Sequence, residues 1–275
     1  MKRGVPGTLV LVLSLAVLAA LVLLPMWLVG SSSFKLPREI ISRFPTFFPH
    51  SFTLQHYQKL LGTSAFPTYF LNSTLVAACS AFVTVLLATL AGYAFFRLEF
   101  RGRDFLYRLI MVAYAFPSIV ILIPIYLMFA KVGLIDTDLA LVIVNVTFAL
   151  PFSIWMMRTF FASLPRELEE AAAIDGASRL ATALYILVPL LRPGIAAIAI
   201  FAFVSSWTEY LFASVLIISD AKRTLPVGLS GIIGQYQIDW GLLLAGASLS
   251  ILPVVVFFAL VGRWFVAGLT EGAVK

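Results

Sequence analysis

Two groups of residues in this 275-residue chain have the types and spacing to do chemical work. The first centres on Glu209, a carboxylate nearly alone in the apolar runs, with Trp207 and Tyr210 beside it. A carboxylate inside a membrane span is costly, and by default it marks a functional site. Asn145, Tyr114, Thr147, Ser205, Ser206 and Thr208 could join it. Hydroxyls, an amide and aromatic faces are what a polyhydroxylated solute needs. A plainer role is also open, in which Glu209 bonds a neighbouring helix or partner and never meets solute.

The second group is the stretch 164–193, LPRELEEAAAIDGASRLATALYILVPLLRP. Pro165 suits the first turn of a helix, where its missing N–H would have been unpaired. Glu167, Glu169 and Glu170 then fall near the positive end of the helix dipole. Ala171, Ala172 and Ala173 are strong helix formers with little bulk. Gly176, beside Asp175, supplies a left-handed stop. A second helix over 178–191 is expected to follow, halted by Pro193. The product is a short, narrow helix with small side chains, able to seat in a groove of another protein.

Other chemistries find no support in the sequence. His50 and His56, the only histidines, have no nearby cysteines or carboxylate cluster, so they read as surface residues and no metal site is expected. Cys79 is the only cysteine and reads as a small packing residue inside an apolar span. H-E-x-x-H and G-x-S-x-G are missing, and so is the phosphate-binding G-x-x-x-x-G-K-[ST]. The chain is therefore expected to be no enzyme, to bind no cofactor, and not to be its own ATPase.

The elements that must position these residues are membrane helices. Hydrophobic residues make up 61% of the chain and charged ones 12%, about half the share in soluble proteins. Apolar spans are expected near 8–29, 70–96, 108–130, 138–157, 194–218 and 247–265. The fold class is thus all-α, a polytopic membrane helix bundle of six transmembrane helices forming a single domain over 1–275. The first run is longer than a signal-peptide core and reads as an uncleaved anchor. With the N-terminus inside, the inner segments carry twelve of the nineteen Lys and Arg. This places both termini in the cytoplasm and gives the net charge of +6 a lipid-facing explanation without nucleic acid. Outer segments then cover 30–69 and 219–246. The first is rich in proline and phenylalanine and is expected to be ordered and docked. In the second, Gly228, Gly231, Gly234 and Gln235 interrupt the apolar pattern, as backbone at the mouth of a pathway does. Arg97, Arg101 and Arg103 read as positive-inside anchors.

Glu170-Ala171-Ala172, Gly176, Ile186 and Pro189 follow the order E-A-A, three residues, G, nine residues, I, two residues, P. This resembles the coupling loop, about 158–193 here, of permease subunits in ATP-binding-cassette importers. The segments 207–213, 224–229 and 263–275 are similar to those of carbohydrate permeases of the six-span maltose/trehalose type. The resemblance covers about 71–275 and is loose before that. It implies a second, related permease, two copies of a cytosolic ATPase that carry the ATP and Mg, and an extracytoplasmic solute-binding protein. It also implies a sugar substrate of di- or oligosaccharide size and a bacterial or archaeal plasma (inner) membrane as the location of this multi-pass chain. By position, Glu167, Glu169, Glu170, Ala171, Ala172, Asp175 and Gly176 would contact the ATPase, and the tail with Gly268, Gly272 and Lys275 would face it. Gly228, Gly231, Gly234 and Gln235 would face the binding protein. A permease for a non-sugar solute remains open, as does an ion-coupled secondary transporter, although the latter usually carries more buried ionisable groups.

Overall fold

The computed structural model describes residues 5–233 and 238–272, with side chains for 9–233 and 238–264. Lys2, Arg3, Gly234, Gln235 and Lys275 lie outside the described residues. The described chain is nearly all helical, and its β structure is one antiparallel bridge between Ile233 and Ile238. In order, the α-helices are α1 (Val5–Ser32), α2 (Pro37–Ile40), α3 (Gln55–Gly62), α4 (Phe66–Arg97), α5 (Arg103–Tyr114), α6 (Ser118–Lys131) and α7 (Asp138–Ala162). They continue as α8 (Glu167–Ile174), α9 (Arg179–Thr182), α10 (Val188–Leu190), α11 (Arg192–Trp207), α12 (Ala213–Leu216), α13 (Leu225–Ser230) and α14 (Trp240–Gly272).

Among the described residues, four helices are long and apolar enough to cross a membrane: α1 over Leu9–Ser32, α4, α7, and α14 over Trp240–Trp264. The number becomes six if each of two bent pairs counts as one span. The first pair corrects the expectation of one unbroken helix, whereas the second breaks where a stop after residue 191 is expected. The third apolar run is α5 and α6, which meet at 102°. Pro117 caps α6 in an extended conformation, and a residue preceding proline is driven out of the helical region. The run entering the fifth span bends by 75° between Arg179–Leu190 and α11. Leu191 is the breakpoint, and Pro193 sits in the first turn of α11 instead of closing the helix before it. That preceding helix is itself divided, since a π-helical turn at Ala183–Leu187 separates α9 from α10.

By contact density the chain forms two compact units, residues 1–67 with 228–252, and residues 68–227 with 253–275. In the first, side-chain bonds close the loop after α1. Lys35 is buried, and its Nζ donates to the Thr46 carbonyl at 2.5 Å and to Ser32 Oγ at 3.1 Å. Glu39 accepts from Thr46 Oγ1 at 2.7 Å and from the His50 N–H at 3.1 Å. Phe34 stacks on Phe52 with ring centroids 4.9 Å apart. His56 departs from expectation, for it is buried and its Nε2 lies 2.9 Å from the Lys35 carbonyl. The space its ring fills is left by Gly241, where a Cβ would stand 2.0 Å from His56 Cε1. Asp239 caps α14 by accepting from the Leu242 N–H at 3.0 Å, and it pairs with Lys59 at 2.7 Å. This cap explains why α14 starts at Trp240, seven residues before the expected sixth span.

In the second unit, α4 buries a seam of small residues at helical spacing: Ser73, Val76, Ala77, Ser80, Ala81, Thr84 and Ala88. Val76 packs with Phe129, Leu141, Val144 and Leu216, and Ala88 with Ile154, Met157, Leu187 and Ile198. Gly92 lets α4 approach α7 so closely that a Cβ would fall 2.7 Å from Met157 Cβ. Cys79 is off this seam and exposed, contrary to the packing role expected of it. Thr137 caps α7 by accepting from the Ala140 N–H at 3.2 Å. Just before it, Asp136 adopts φ 60° and clasps a second loop. Its carboxylate accepts from the N–H groups of Ile218 and Ser219 at 3.0 and 2.9 Å and from the Ser219 hydroxyl. The Ser219 side chain, followed by the backbone donors, holds the Asp136 carboxyl down at about 2.

Candidate functional site

The loop singled out by its spacing folds as one short helix, α8, on a fixed base. It begins two residues after Pro165, and Glu167, Glu169 and Glu170 occupy its first turn. The C-terminal end is a Schellman turn: Ala177 N–H donates to the Ala172 carbonyl at 2.9 Å and Gly176 N–H to the Ala173 carbonyl at 3.1 Å. Gly176 stands at φ 82°, a conformation that carries no penalty only for glycine.

The helix separates the candidate residues into two faces. Glu167, Glu170, Ala171 and Ile174 recur at helical spacing and are exposed, Ile174 at 87%. Asp175 and Gly176 are exposed beyond them. Ala172 is buried, and Glu169 is turned inward with its side chain 23% exposed. Its partner is Arg97, the last residue of α4, whose own side chain is 5% exposed. Arg97 Nε lies 2.6 Å from Glu169 Oε1, and a terminal amino group donates to the Leu164 carbonyl at 2.8 Å. An open cleft of about 700 Å³ runs beside this pair, lined by Tyr93, Phe100, Glu170 and Arg179 among others.

Sequence reasoning missed both Arg97 and Ile174. Arg97 read as one basic residue of a charged turn, because its partner lies 72 positions further on. Ile174 sits inside the E-A-A-to-glycine interval, where helical periodicity from Glu167 could have marked it.

A second concavity, of about 350 Å³, opens among the apolar helices of the same unit. Tyr114, Ser118, Asn145, Phe201, Ser205 and Glu209 contribute to its lining. It thus brings together Asn145, Glu209, Tyr114 and Ser205 from the expected pathway. Asn145 Nδ2 donates to Ser206 Oγ at 2.7 Å, which joins α7 to α11. Thr147 and Thr208 turn their hydroxyls back to their own helix, at the carbonyls of Ile143 and Val204.

The expected fifth span does not run to Ile218, since α11 ends at Trp207. Glu209 follows that break, and its carboxylate accepts from the N–H groups of Phe212 and Ala213 at 2.7 and 3.0 Å. These are donors that the start of a helix leaves unpaired, so the carboxylate secures the turn into α12. Trp207 is buried, stacked on Phe203 at 5.9 Å and edge-on to Phe70 at 5.6 Å. Tyr210 is half exposed outside the cavity lining. Gly228 lies within α13 and Gly231 in the turn after it, while Gly268 and Gly272 lie in the last turns of α14. Among the described residues no three His, Cys, Asp or Glu group together as a metal site would require.

Long apolar helices, two bent apolar pairs and a short exposed helix between them define a multi-pass membrane protein. The chain belongs to the family described as binding-protein-dependent transport system inner membrane component, whose model matches residues 84–270. It is 37% identical to the inner membrane ABC transporter permease protein YcjP of Escherichia coli, over 95% of this chain and 94% of that one. It is 35% identical to the trehalose/maltose transport system permease protein MalG of Thermococcus litoralis, over 81% of each. Its fold is similar to that of a chain from the crystal structure of a bacterial ABC transporter involved in the import of alginate. That likeness has a TM-score of 0.81 at 24% identity and covers 94% of this chain and 96% of the other. Permeases of this family work with a solute-binding protein and with an ATPase.

Proposed function

We propose that this chain is one half of the pathway of a carbohydrate importer in a bacterial or archaeal plasma membrane. It crosses six times as a single permease domain with both termini in the cytoplasm, each bent pair counting as one crossing. A second, related permease completes the pathway, and two copies of a cytosolic ATPase hold the ATP and Mg. The observation that carries the reading is the outward face of α8: Glu167, Glu170, Ala171 and Ile174 stand exposed on a helix whose opposite face is fixed to α4. Two carboxylates and a small alanine around one apolar knob suit a helix that seats in a groove of the ATPase, with Asp175 and Gly176 at its exit.

A sugar cargo of di- or oligosaccharide size is supported by the relatives, among them the trehalose/maltose permease and the diacetylchitobiose permeases of Streptomyces coelicolor. The cavity lining adds support. Tyr114 and Phe201 offer ring faces, and Ser118, Asn145 and Ser205 offer hydroxyl and amide partners. Gly228 and Gly231, with Gly234 and Gln235, would face the solute-binding protein, and the tail with Gly268, Gly272 and Lys275 would approach the ATPase pair.

A gentle pull-down of the chain from its own membranes, with partner stoichiometry by mass spectrometry, tests the reading. One different permease and two ATPase copies are expected. Recovery alone or as a homo-oligomer in several detergents would refute the importer assembly.

A further inference from the structure

We propose that Arg97 is the strut through which α8 drives α4, a proposal that rests on reading α8 as the ATPase-coupling helix. A helix of eight residues is too short to hold its own shape in water. If it is to move a membrane helix, something must join the two rigidly. The flanking chain does not, because 163–166 and 175–178 are turns.

The join observed is a single side chain. Arg97 ends the 32-residue α4, and its guanidinium reaches Glu169 in the first turn of α8 and the Leu164 carbonyl at the exit from α7. Three elements therefore meet on one planar group. One terminal nitrogen is anchored on the Leu164 carbonyl while Nε stands in ion-pair contact with Glu169, so the planar group is held from two sides, which a lysine point charge cannot match. Its side chain is 5% exposed against 23% for Glu169, so the guanidinium is largely withdrawn from water although the pair borders the open cleft. Of the three acidic residues in that turn, Glu167 and Glu170 face outward, and Glu169 alone meets Arg97. Breaking a buried pair by removing one member leaves an uncompensated charge, which makes the tie stiff. A displacement of α8 is then passed to the end of α4 instead of being absorbed in the loop. From there it reaches the close contact of Gly92 with Met157 of α7.

The test uses the intact complex, purified through an N-terminal tag on this chain and placed in vesicles with its binding protein. ATP hydrolysis and uptake of radiolabelled maltose, trehalose and diacetylchitobiose are followed in the same vesicles, and the ATPase copies are counted. Arg97→Met keeps the aliphatic stem and removes the fork. It should retain the ATPase and its hydrolysis while sugar taken up per ATP falls at least about tenfold, because the buried pair no longer fixes the geometry. Arg97→Lys and Glu169→Gln should fall in between.

Loss of the ATPase from an otherwise folded Arg97→Met chain would overturn the proposal, since Arg97 would then shape the docking surface and not the linkage. Unchanged uptake per ATP would overturn it too. If Arg97→Met fails to accumulate, wild-type coupling in both milder variants does the same. Failure of the underlying reading is seen separately, in the wild-type complex: without an ATPase or without sugar uptake there, both proposals fall.

Discussion

Replacing Gly241 with alanine puts one methyl group where the His56 imidazole already stands. The new Cβ would lie 2.0 Å from Cε1, 2.2 Å from Nδ1 and 2.6 Å from Nε2. To reach the 3.4 Å at which ordinary contact begins, the ring must retreat by about 1.4 Å. It cannot do so and keep its bond to the Lys35 carbonyl, now 2.9 Å long, because hydrogen bonds fail beyond about 3.5 Å. Leaving that buried polar group unpaired costs about 1–3 kcal/mol. Over-packing costs about 1–3 kcal/mol more. The total of roughly 2–6 kcal/mol should lower the melting temperature of the detergent-solubilised protein by about 4–24 °C. His56→Ala alone should also destabilise, but the double variant should be less damaged than the sum by at least about 1.5 kcal/mol, as residues in direct contact are. A Gly241→Ala protein that melts with the wild type, or strict additivity in the double variant, would refute the reasoning.

Three further outcomes are expected. Gly176→Val forces a β-branched residue into φ 82° with no neighbour within 4 Å to blame, so the strain of about 1–2 kcal/mol is purely backbone. Assembly with the ATPase should persist while transport slows several-fold, and Gly176→Asn should lose less, since asparagine tolerates this region; equal rates for the valine variant would show that the left-handed stop of α8 does not matter for transport. Asp136 ionises at about 2 in the fold against an ordinary 3.8. A lowered folded value means that its contribution is complete above the ordinary value and is lost as the pH falls through the folded one. Melting curves between pH 4 and 2 should therefore show a loss that is smaller in Asp136→Asn, and parallel curves would contradict this. Glu209→Gln keeps an acceptor for the start of α12 and should leave the KM for sugar unchanged, whereas Glu209→Ala should cost about 0.5–2 kcal/mol of stability. A raised KM with glutamine would show that the carboxylate meets solute.

The membrane helices were legible wherever apolar length alone decides, as in α1, α4 and α7. Their directions were not. Composition treats 108–130 as one run, but Pro117 turns it through 102° because a proline N–H is missing and the residue before it leaves the helical region. The glycine stop of α8 could be read from sequence because a Schellman turn is local chemistry. The inward turn of Glu169 could not, because it depends on an arginine far away in the chain. His56 was misplaced for a similar reason: no local pattern announces that a glycine 185 residues later will leave room for a ring. The cavity was half legible. Asn145, Glu209, Tyr114 and Ser205 came from polarity within apolar spans, whereas Phe148, Phe201 and Ser118 gave no signal against a background of 24 phenylalanines and many small residues.

The seam that α4 presents to its neighbours has no large side chain in it. Interlocked helices must withdraw each knob from its hole before they can slide, and every withdrawal adds a step to the barrier. Val76 is its largest member, and the serine, alanine, threonine and glycine around it have little to withdraw. Contact between α4 and α7 can therefore shift along the axis while staying close, as packed helices do in shear motions. In a machine that repeats its cycle, such a face acts as a bearing: friction is low, wear on the packing is small, and the rate of the stroke is left to the parts that push.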